Sequence, residues 1–399
     1  MDEIELELEL ESIADNGIAV ARHEGRPVFI PVGVPPFGVI GERVRVRITR
    51  DKKSHAFAEI VAVVRESPDR RAPRCQHYGV CGGCHFQHVD YAAQLAYKRA
   101  VVVEQLARIG GLRDVEVGET IPSAAEWAYR SHVTLRPDQR GRLGYTGIDG
   151  KSHVAIDECP IAQPDLIALA RATHAPKGSR ARLQIGTDDA GAVLGAPILQ
   201  MGALDGDDDA PFPALDAHSV TYQVRGRSFR VTAGGFFQVS AAAAGVLVDV
   251  VRRRIDPGMR VLDLFAGVGL FSAFLAEEAD GVTAVEGFAP AAADLRHNLA
   301  DLANTAVIEG AVERVLRDLI PIYDAAIIDP PRTGIRTEAL DRLLRLAPGR
   351  IVYVSRDPAT LARDARLLSQ AGYALIDAQP VDLFPQTYHV DTVAAFARA

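Results

Sequence analysis

The chain has 399 residues, 48% of them hydrophobic and 24% charged, with a formal net charge of −8. That length accommodates two or three domains with cores of their own, in the proportions of an ordinary soluble protein. The apolar runs break before the ~18 residues a membrane span needs, and the acidic balance rules out nucleic-acid binding by bulk charge while leaving room for a local basic face. The N-terminus, MDEIELELELES, is acidic and alternating. It has neither the basic start nor the continuous apolar stretch of a signal peptide, so a cytoplasmic location is expected.

Residues 1–65 read as a small OB-like barrel. Ile4, Leu6, Leu8 and Leu10 alternate with glutamates, and Asp15-Asn16-Gly17 signals a turn. Val44, Val46 and Ile48 point one way and Arg43, Arg45 and Arg47 the other. That arginine row, continued by Lys52 and Lys53, suits either RNA phosphates or a cross-strand charge ladder with the glutamate row. Residues 66–220 form a second region: the stretch RESPDRRAPRCQHYGVCGGCHFQH, a helical run DYAAQLAYKRAVVVEQLARIG, a strand-rich piece over 120–200, and an acidic, proline-containing loop at 204–219.

The only cysteines are Cys75, Cys81, Cys84 and Cys159, three of them within ten residues. In a reducing compartment this pattern points to a metal site, either a [4Fe–4S] cluster or structural zinc. CGGCH, from Cys81 to His85, also matches a c-type haem attachment motif; the two further cysteines and the missing export signal count against haem.

From about 250, strands alternate with helices, the pattern of an open, mostly parallel α/β sheet with its ligand site at the strands' carboxyl ends. RVLDLFAG is a strand ending in a glycine loop, where Gly267 and Gly269 permit a tight turn against a ligand. Ser272 stands where a dinucleotide fingerprint has its third glycine. Glu286 ends the next strand, placed to accept from ribose hydroxyls or to sit at a helix N-terminus. Asp329-Pro330-Pro331-Arg332 ends another, its prolines fixing a rigid lip. Together these features resemble the S-adenosylmethionine (AdoMet) pocket of class I methyltransferases more than an NAD site. Asp357-Pro358 signals a helix start after the strand Ile351–Ser355, which puts Arg356 at a strand tip.

Taken together, the sequence resembles the RNA 5-methyluridine (uracil-C5) methyltransferase family over nearly its whole length. The resemblance implies an N-terminal TRAM domain, a central α+β domain with an iron–sulfur site, and a Rossmann-like methyltransferase domain over 221–399. It implies cluster ligands at Cys75, Cys81, Cys84 and Cys159, the last in DECP, and AdoMet contacts from Gln238 in GGFFQVS, Phe265, Gly267, Gly269, Glu286 and Asp329. The family's asparagines in the glycine loop and after the glutamine motif are Leu270 and Ser240 here. RNA, ribosomal or transfer, is the implied partner, with no membrane and no obligate protein partner.

Both residues at the reacting positions differ from the family's. Uracil C5 is too weak a nucleophile to attack a methyl sulfonium until a thiolate adds at C6, and a carboxylate must then remove the C5 proton. The family carries that thiol in a pattern like S-C-x-P-A-T-L-A-R-D; here the run is SRDPATLARD, with Arg356 in the cysteine's place. Its base is usually a glutamate in H-[LV]-E-[ST]-V; here HVDTV supplies Asp391, one methylene shorter. An arginine cannot serve as nucleophile, and Ser355 next door, on a strand, faces the other way. Either Arg356 and Asp391 face each other as an ion pair in the space a flipped uracil would take, or Arg356 is a surface phosphate contact or a neutral drift product. Two functions follow: an AdoMet-dependent RNA methyltransferase acting on an atom that needs no covalent step, or a non-catalytic RNA-binding homologue retaining AdoMet.

Overall fold

The structure is a computed structural model describing residues 4–187, 193–201 and 219–398. Apart from Ser219, the acidic segment expected at 204–219 lies outside the described residues.

The N-terminal strands are β1 (Glu5–Glu9), β2 (Ser12–Ala14), β3 (Ile18–His23), β4 (Arg26–Pro31), β5 (Arg43–Lys52) and β6 (His55–Arg65), in the sheet order β1-β5-β6-β4-β3-β2. The alternation works as the sequence implies: Leu8, Val44, Val46 and Ile60 are buried in one core, while the charged residues between them face out. β1 and β5 pair with Glu5 opposite Arg47, Glu7 opposite Arg45 and Glu9 opposite Arg43. Ion pairs of Arg43 with Glu7 and of Arg47 with Glu5 and Glu59 follow, so most of the arginine row is a charge ladder.

Helix α1 (Tyr91–Arg108) comes next, N-capped by Asp90, whose carboxylate accepts from Ala92 N. The central strands are β7 (His132–Pro137), β8 (Leu143–Thr146), β9 (His153–Ala155), β10 (Ser179–Thr187), β11 (Val193–Met201), β12 (Ser219–Val224) and β13 (Arg227–Thr232), with α2 (Pro164–Ala172) between β9 and β10. They form one antiparallel sheet. At the boundary expected at 220, the hairpin β12–β13 joins the central sheet through β10, while its Val220, Tyr222, Phe229 and Val231 are buried in one core with α3, β14 and α4, so it bridges the two regions. Nor is α1 wholly a central element: its Val102 and Leu106 are buried in the core of the C-terminal sheet, beside α8.

The C-terminal elements are α3 (Ala241–Arg252), β14 (Arg260–Leu264), α4 (Leu270–Leu275), β15 (Gly281–Glu286), α5 (Ala289–Asn298), β16 (Thr305–Glu309), α6 (Val312–Asp318), β17 (Ala325–Ile328), α7 (Thr337–Leu346), β18 (Arg350–Ser355), α8 (Pro358–Gln370), β19 (Tyr373–Val381) and β20 (Asp391–Arg398). The sheet order is β16-β15-β14-β17-β18-β20-β19, parallel from β16 to β18 and antiparallel where β20 pairs with β18 and β19. The strand order reverses at β14, the point where an open α/β sheet leaves a crevice at its carboxyl edge. No helix among the described residues is long and apolar enough to cross a membrane.

Candidate active site

A cavity of about 380 Å³ lies in that crevice, within the range of small-molecule sites. Gln238, Phe265, Gly267, Glu286, Asp329 and Arg356 all line it. Four of them come from consecutive strand tips: Phe265 after β14, Glu286 ending β15, Asp329 after β17 and Arg356 after β18.

The turn after β14 is built for close approach. Phe265 has φ +62°, a left-handed conformation that is costly for a bulky side chain and found where a site over-determines it. Gly267 has φ +56°, and a Cβ there would meet nothing within 4 Å; its Cα borders the cavity, leaving room for a ligand against the backbone. Gly269, outside the lining, is a packing glycine: at φ +89°, its Cβ would stand 2.6 Å from Leu295 Cδ1. Glu286 ties the loop down, accepting from Gly267 N at 2.8 Å with one oxygen and from Phe288 N at 2.6 Å with the other. It thus braces the turn, with lone pairs left for a ligand hydroxyl.

Asp263 and Ser272 supply a support that sequence reasoning passed over. Both are fully buried, and the Ser272 hydroxyl donates to Asp263 Oδ2 at 2.5 Å. The serine in the third-glycine position is thus a hydrogen-bond donor to the strand. Burial pushes the Asp263 carboxyl up to about 7, against the lowering effect of that bond. Burial likewise raises Asp329 to about 6; the Arg356 guanidinium pulls it back and Glu286 pushes it further. Gln238 is buried in the cavity wall. Ser240, two residues on, N-caps α3 by accepting from Ala243 N at 3.1 Å, a role open to serine or asparagine alike.

The Arg356 guanidinium carbon lies 4.8 Å from the centroid of Phe236, a cation–π distance. Phe236, two residues before Gln238, also lines the cavity; the sequence signal was the first aromatic of GGFFQ. Ser355 takes no part in the cavity chemistry, since its hydroxyl donates to Asp357 O at 2.9 Å and accepts from Asp357 N at 3.2 Å. Asp357 in turn caps α8, accepting from Thr360 N at 2.7 Å ahead of Pro358. Asp391 opens β20, is 1% exposed and does not line the cavity. The β18–β20 register ends with Ser355 opposite Thr392, and Arg356 follows β18 as Asp391 opens β20.

Behind Asp391 lies a second unforeseen feature. Lys98 of α1 donates to Asp382 Oδ1 at 2.5 Å and to Phe384 O at 3.1 Å, with side chains 1% and 0% exposed. Burial pulls the Lys98 pKa down, and both Asp382 and Asp391 pull it back up. Beside it, Gln94 donates to Gln386 Oε1 at 3.0 Å and accepts from Gln386 N at 2.9 Å. Helix α1 thus clamps the loop between β19 and β20.

Cys159, far along the chain from Cys75, Cys81 and Cys84, lines one small cavity with them, Tyr145 and Gln87. Gly82 N donates to Thr146 O at 3.0 Å, which draws the CGGC loop onto β8; Tyr145 Oη stands 3.7 Å from Cys159 Sγ. Burial raises the thiols of Cys75, Cys81 and Cys84, Cys81 to about 11 and Cys84 to about 12. Bare, they are neutral at pH 7, and only a bound cation would hold them as thiolates. An all-sulfur donor set on one cavity fits an iron–sulfur cluster or zinc. As the side chains stand, no group of three or more His, Cys, Asp or Glu among the described residues is poised around a metal ion.

Residues 2–61 match the TRAM domain family. An uncharacterized RNA methyltransferase of Streptomyces avermitilis is 32% identical, covering 98% of this chain and 97% of the relative. The 23S rRNA (uracil(1939)-C(5))-methyltransferase RlmD of Shewanella sediminis is also 32% identical, covering 98% and 95%. Among solved structures, the Pyrococcus abyssi tRNA (uracil-54, C5)-methyltransferase in complex with S-adenosyl-L-homocysteine superposes with a TM-score of 0.70 at 23% identity. That match covers 98% of this chain and all of that one, and it shows a shared fold. With a TRAM barrel, a class I methyltransferase sheet and relatives at this identity over almost its full length, the chain belongs to the RNA uracil-C5 methyltransferase family.

Proposed function

We propose that the protein is an AdoMet-dependent RNA methyltransferase that does not reach uracil C5 by the family's thiol-adduct route. The observation that carries this reading is Arg356, which stands in the wall of the cavity at the nucleophile's place in the sequence and stacks on Phe236. AdoMet is favoured by the turn at Gly267, the braced Glu286 and the Asp329 carboxylate in the cavity wall, which suits a cationic sulfonium. When bound, AdoMet supplies an electrophilic methyl group. Gln238, Phe265, Gly267 and Glu286 would hold it.

Arg356 keeps its proton throughout and cannot add to C6; the Ser355 hydroxyl is committed to its own turn. An acceptor nitrogen or ribose oxygen needs no adduct, only orientation and a proton acceptor. Asp329 is the cavity carboxylate for that task, and a carboxyl raised to about 6 is matched to proton transfer near neutrality. Arg356 and Asp391 form, in this reading, a cross-strand ion pair that fills the place of the missing nucleophile and base. Cys75, Cys81, Cys84 and Cys159 hold a [4Fe–4S] cluster, with zinc the alternative their all-sulfur donor set also admits.

The test is tritium transfer from methyl-labelled AdoMet into pooled rRNA and tRNA. Label in a nucleoside other than 5-methyluridine supports the reading. AdoMet binding with no label in any RNA pool overturns it in favour of a non-catalytic RNA-binding protein.

A further inference from the structure

The loop between β19 and β20 is held from the cysteine side as well as by α1. Gln386, 2% exposed, stands at φ +70°, a left-handed conformation uncommon for such a side chain and kept only where the surroundings over-determine it. Its carbonyl oxygen accepts from two successive amides that follow Cys84, His85 N at 2.8 Å and Phe86 N at 3.0 Å. The carbonyl before it, Pro385 O, accepts from the Tyr129 hydroxyl at 3.0 Å. Tyr129 is itself flanked by two bonds to the segment that follows Cys159, Ala128 N to Pro160 O at 2.8 Å and Arg130 N to Ile161 O at 2.9 Å. Both halves of the four-cysteine site thus grip consecutive residues, 385 and 386. Gln94 closes the grip from a third side, donating to Phe86 O at 3.1 Å as well as to Gln386. Just past it, the Tyr388 ring packs against those of His85 and His389, with centroids 4.3 Å and 4.4 Å away. Thr387 and His389 line a second cavity of about 210 Å³ with Gly83, His85, Arg130 and Arg332, the last residue of the Asp329 lip.

We propose that Gln386 is a positioning residue: it carries the geometry of the cysteine loop to the chain that holds Thr387, His389 and Asp391, so that a filled metal site fixes where this wall stands. The inference rests on the RNA-methyltransferase reading for what the wall serves, and adds what holds it. One carbonyl receives both amides only while the loop after Cys84 keeps its fold, and a metal bound by all four cysteines is what ties that loop to Cys159. The backbone strain makes the link two-state. With the amides in place Gln386 is locked; with them displaced it would relax to the negative φ its side chain prefers, and the residues after it would turn away from the lip.

The experiment is hydrogen–deuterium exchange read by mass spectrometry on the full-length, anaerobically purified protein, with AdoMet binding and methyl transfer to pooled rRNA and tRNA measured on the same samples. Gln94→Ala removes both side-chain bonds to Gln386 and leaves every cysteine in place; it should raise exchange over residues 384–391 about tenfold, as expected for two lost hydrogen bonds. Cys84→Ser should raise it at least as much, and β18 should change less than about twofold in either variant. Gln386→Gly accepts φ +70° without strain and keeps the backbone bonds, so a residue that merely filled the turn would tolerate it. As a positioning residue it should instead lose about tenfold in methyl transfer, while AdoMet affinity by calorimetry stays within about twofold, since Gln386 does not line the AdoMet cavity. Unchanged exchange over 384–391 in Gln94→Ala, or an equal rise in β18, overturns the link, and this variant decides the matter if Cys84→Ser fails to fold. Normal methyl transfer in Gln386→Gly overturns the positioning role while the methyltransferase reading stands. A wild type that methylates no RNA, with exchange rising only over 384–391 in the variants, upholds the link and sinks the methyltransferase reading.

Discussion

Replacing Lys98 with methionine tests whether α1 holds the catalytic edge of the sheet. The substitution keeps the side chain's bulk and removes its charge. Asp382, 0% exposed, would lose its cationic partner at 2.5 Å and keep the Phe384 amide as a donor at 3.0 Å. A buried carboxylate stripped of its partner costs about 3–5 kcal/mol. At about 2–4 °C per kcal/mol for a domain of this size, the melting temperature should fall on the order of 10 °C. Because Asp382 and Phe384 begin the loop that delivers Asp391, the loss should also loosen that position. A second substitution, Asp382→Leu in the Lys98→Met background, removes the stranded charge and should recover a good part of the loss. Thermal unfolding followed by circular dichroism reads both. A single variant within about 1 kcal/mol of wild type, or a double variant less stable than the single, would refute the clamp, since each requires that the pair contribute almost nothing.

The raised carboxyls predict a pH dependence with a definite sign. Asp263 and Asp329 move from 3.8 to about 7 and about 6, so between about pH 4 and 7 the folded chain binds more protons than the unfolded one and ligand-free stability falls as pH rises. A sulfonium relieves that cost: by calorimetry AdoMet should bind several-fold tighter at about pH 8 than at about pH 5.5, whereas neutral-sulfur S-adenosylhomocysteine should shift little, and equal shifts would contradict the assignment. The two loop glycines should separate: Gly269→Ala, 2.6 Å from Leu295 Cδ1 at φ +89°, should cost about 1–3 kcal/mol of stability. Gly267→Ala, with open space around its Cβ, should instead weaken AdoMet binding more than it lowers the melting temperature. Anaerobically purified protein should absorb near 400 nm, roughly where iron–sulfur clusters do and zinc does not; Cys159→Ser should lose that band, and stoichiometric zinc with no band would reverse the metal assignment.

Much of the site was legible because its signals are local. Gly267, the Asp329 lip and the Asp357-Pro358 helix start each announce a strand end within a few residues, and the structure brings the tips together at one crevice. Gly269 was legible as a turn glycine, but its packing against Leu295 needs α5 in place. The glutamate and arginine rows of the barrel were visible as alternation, but which partner each took depended on the β1–β5 register, a tertiary fact. The same limit hid the clamp: Lys98 looks like an ordinary helical lysine until the fold sets it against Asp382, 284 residues later. That the hairpin β12–β13 would join the central sheet yet pack into the C-terminal core was hidden, because its alternating pattern is the same whichever sheet it joins. The strained φ of Phe265 left no trace in the sequence, since nothing but the surrounding structure imposes it.

The central claim is that a chamber without a thiol leaves the pyrimidine carbon unactivated. Nucleoside mass spectrometry of RNA treated with purified protein and AdoMet tests it directly, with Arg356→Cys/Asp391→Glu run in parallel. The account predicts a methylated nucleoside other than 5-methyluridine from wild type, and 5-methyluridine from the double variant. Authentic 5-methyluridine formed by the unaltered protein would contradict it.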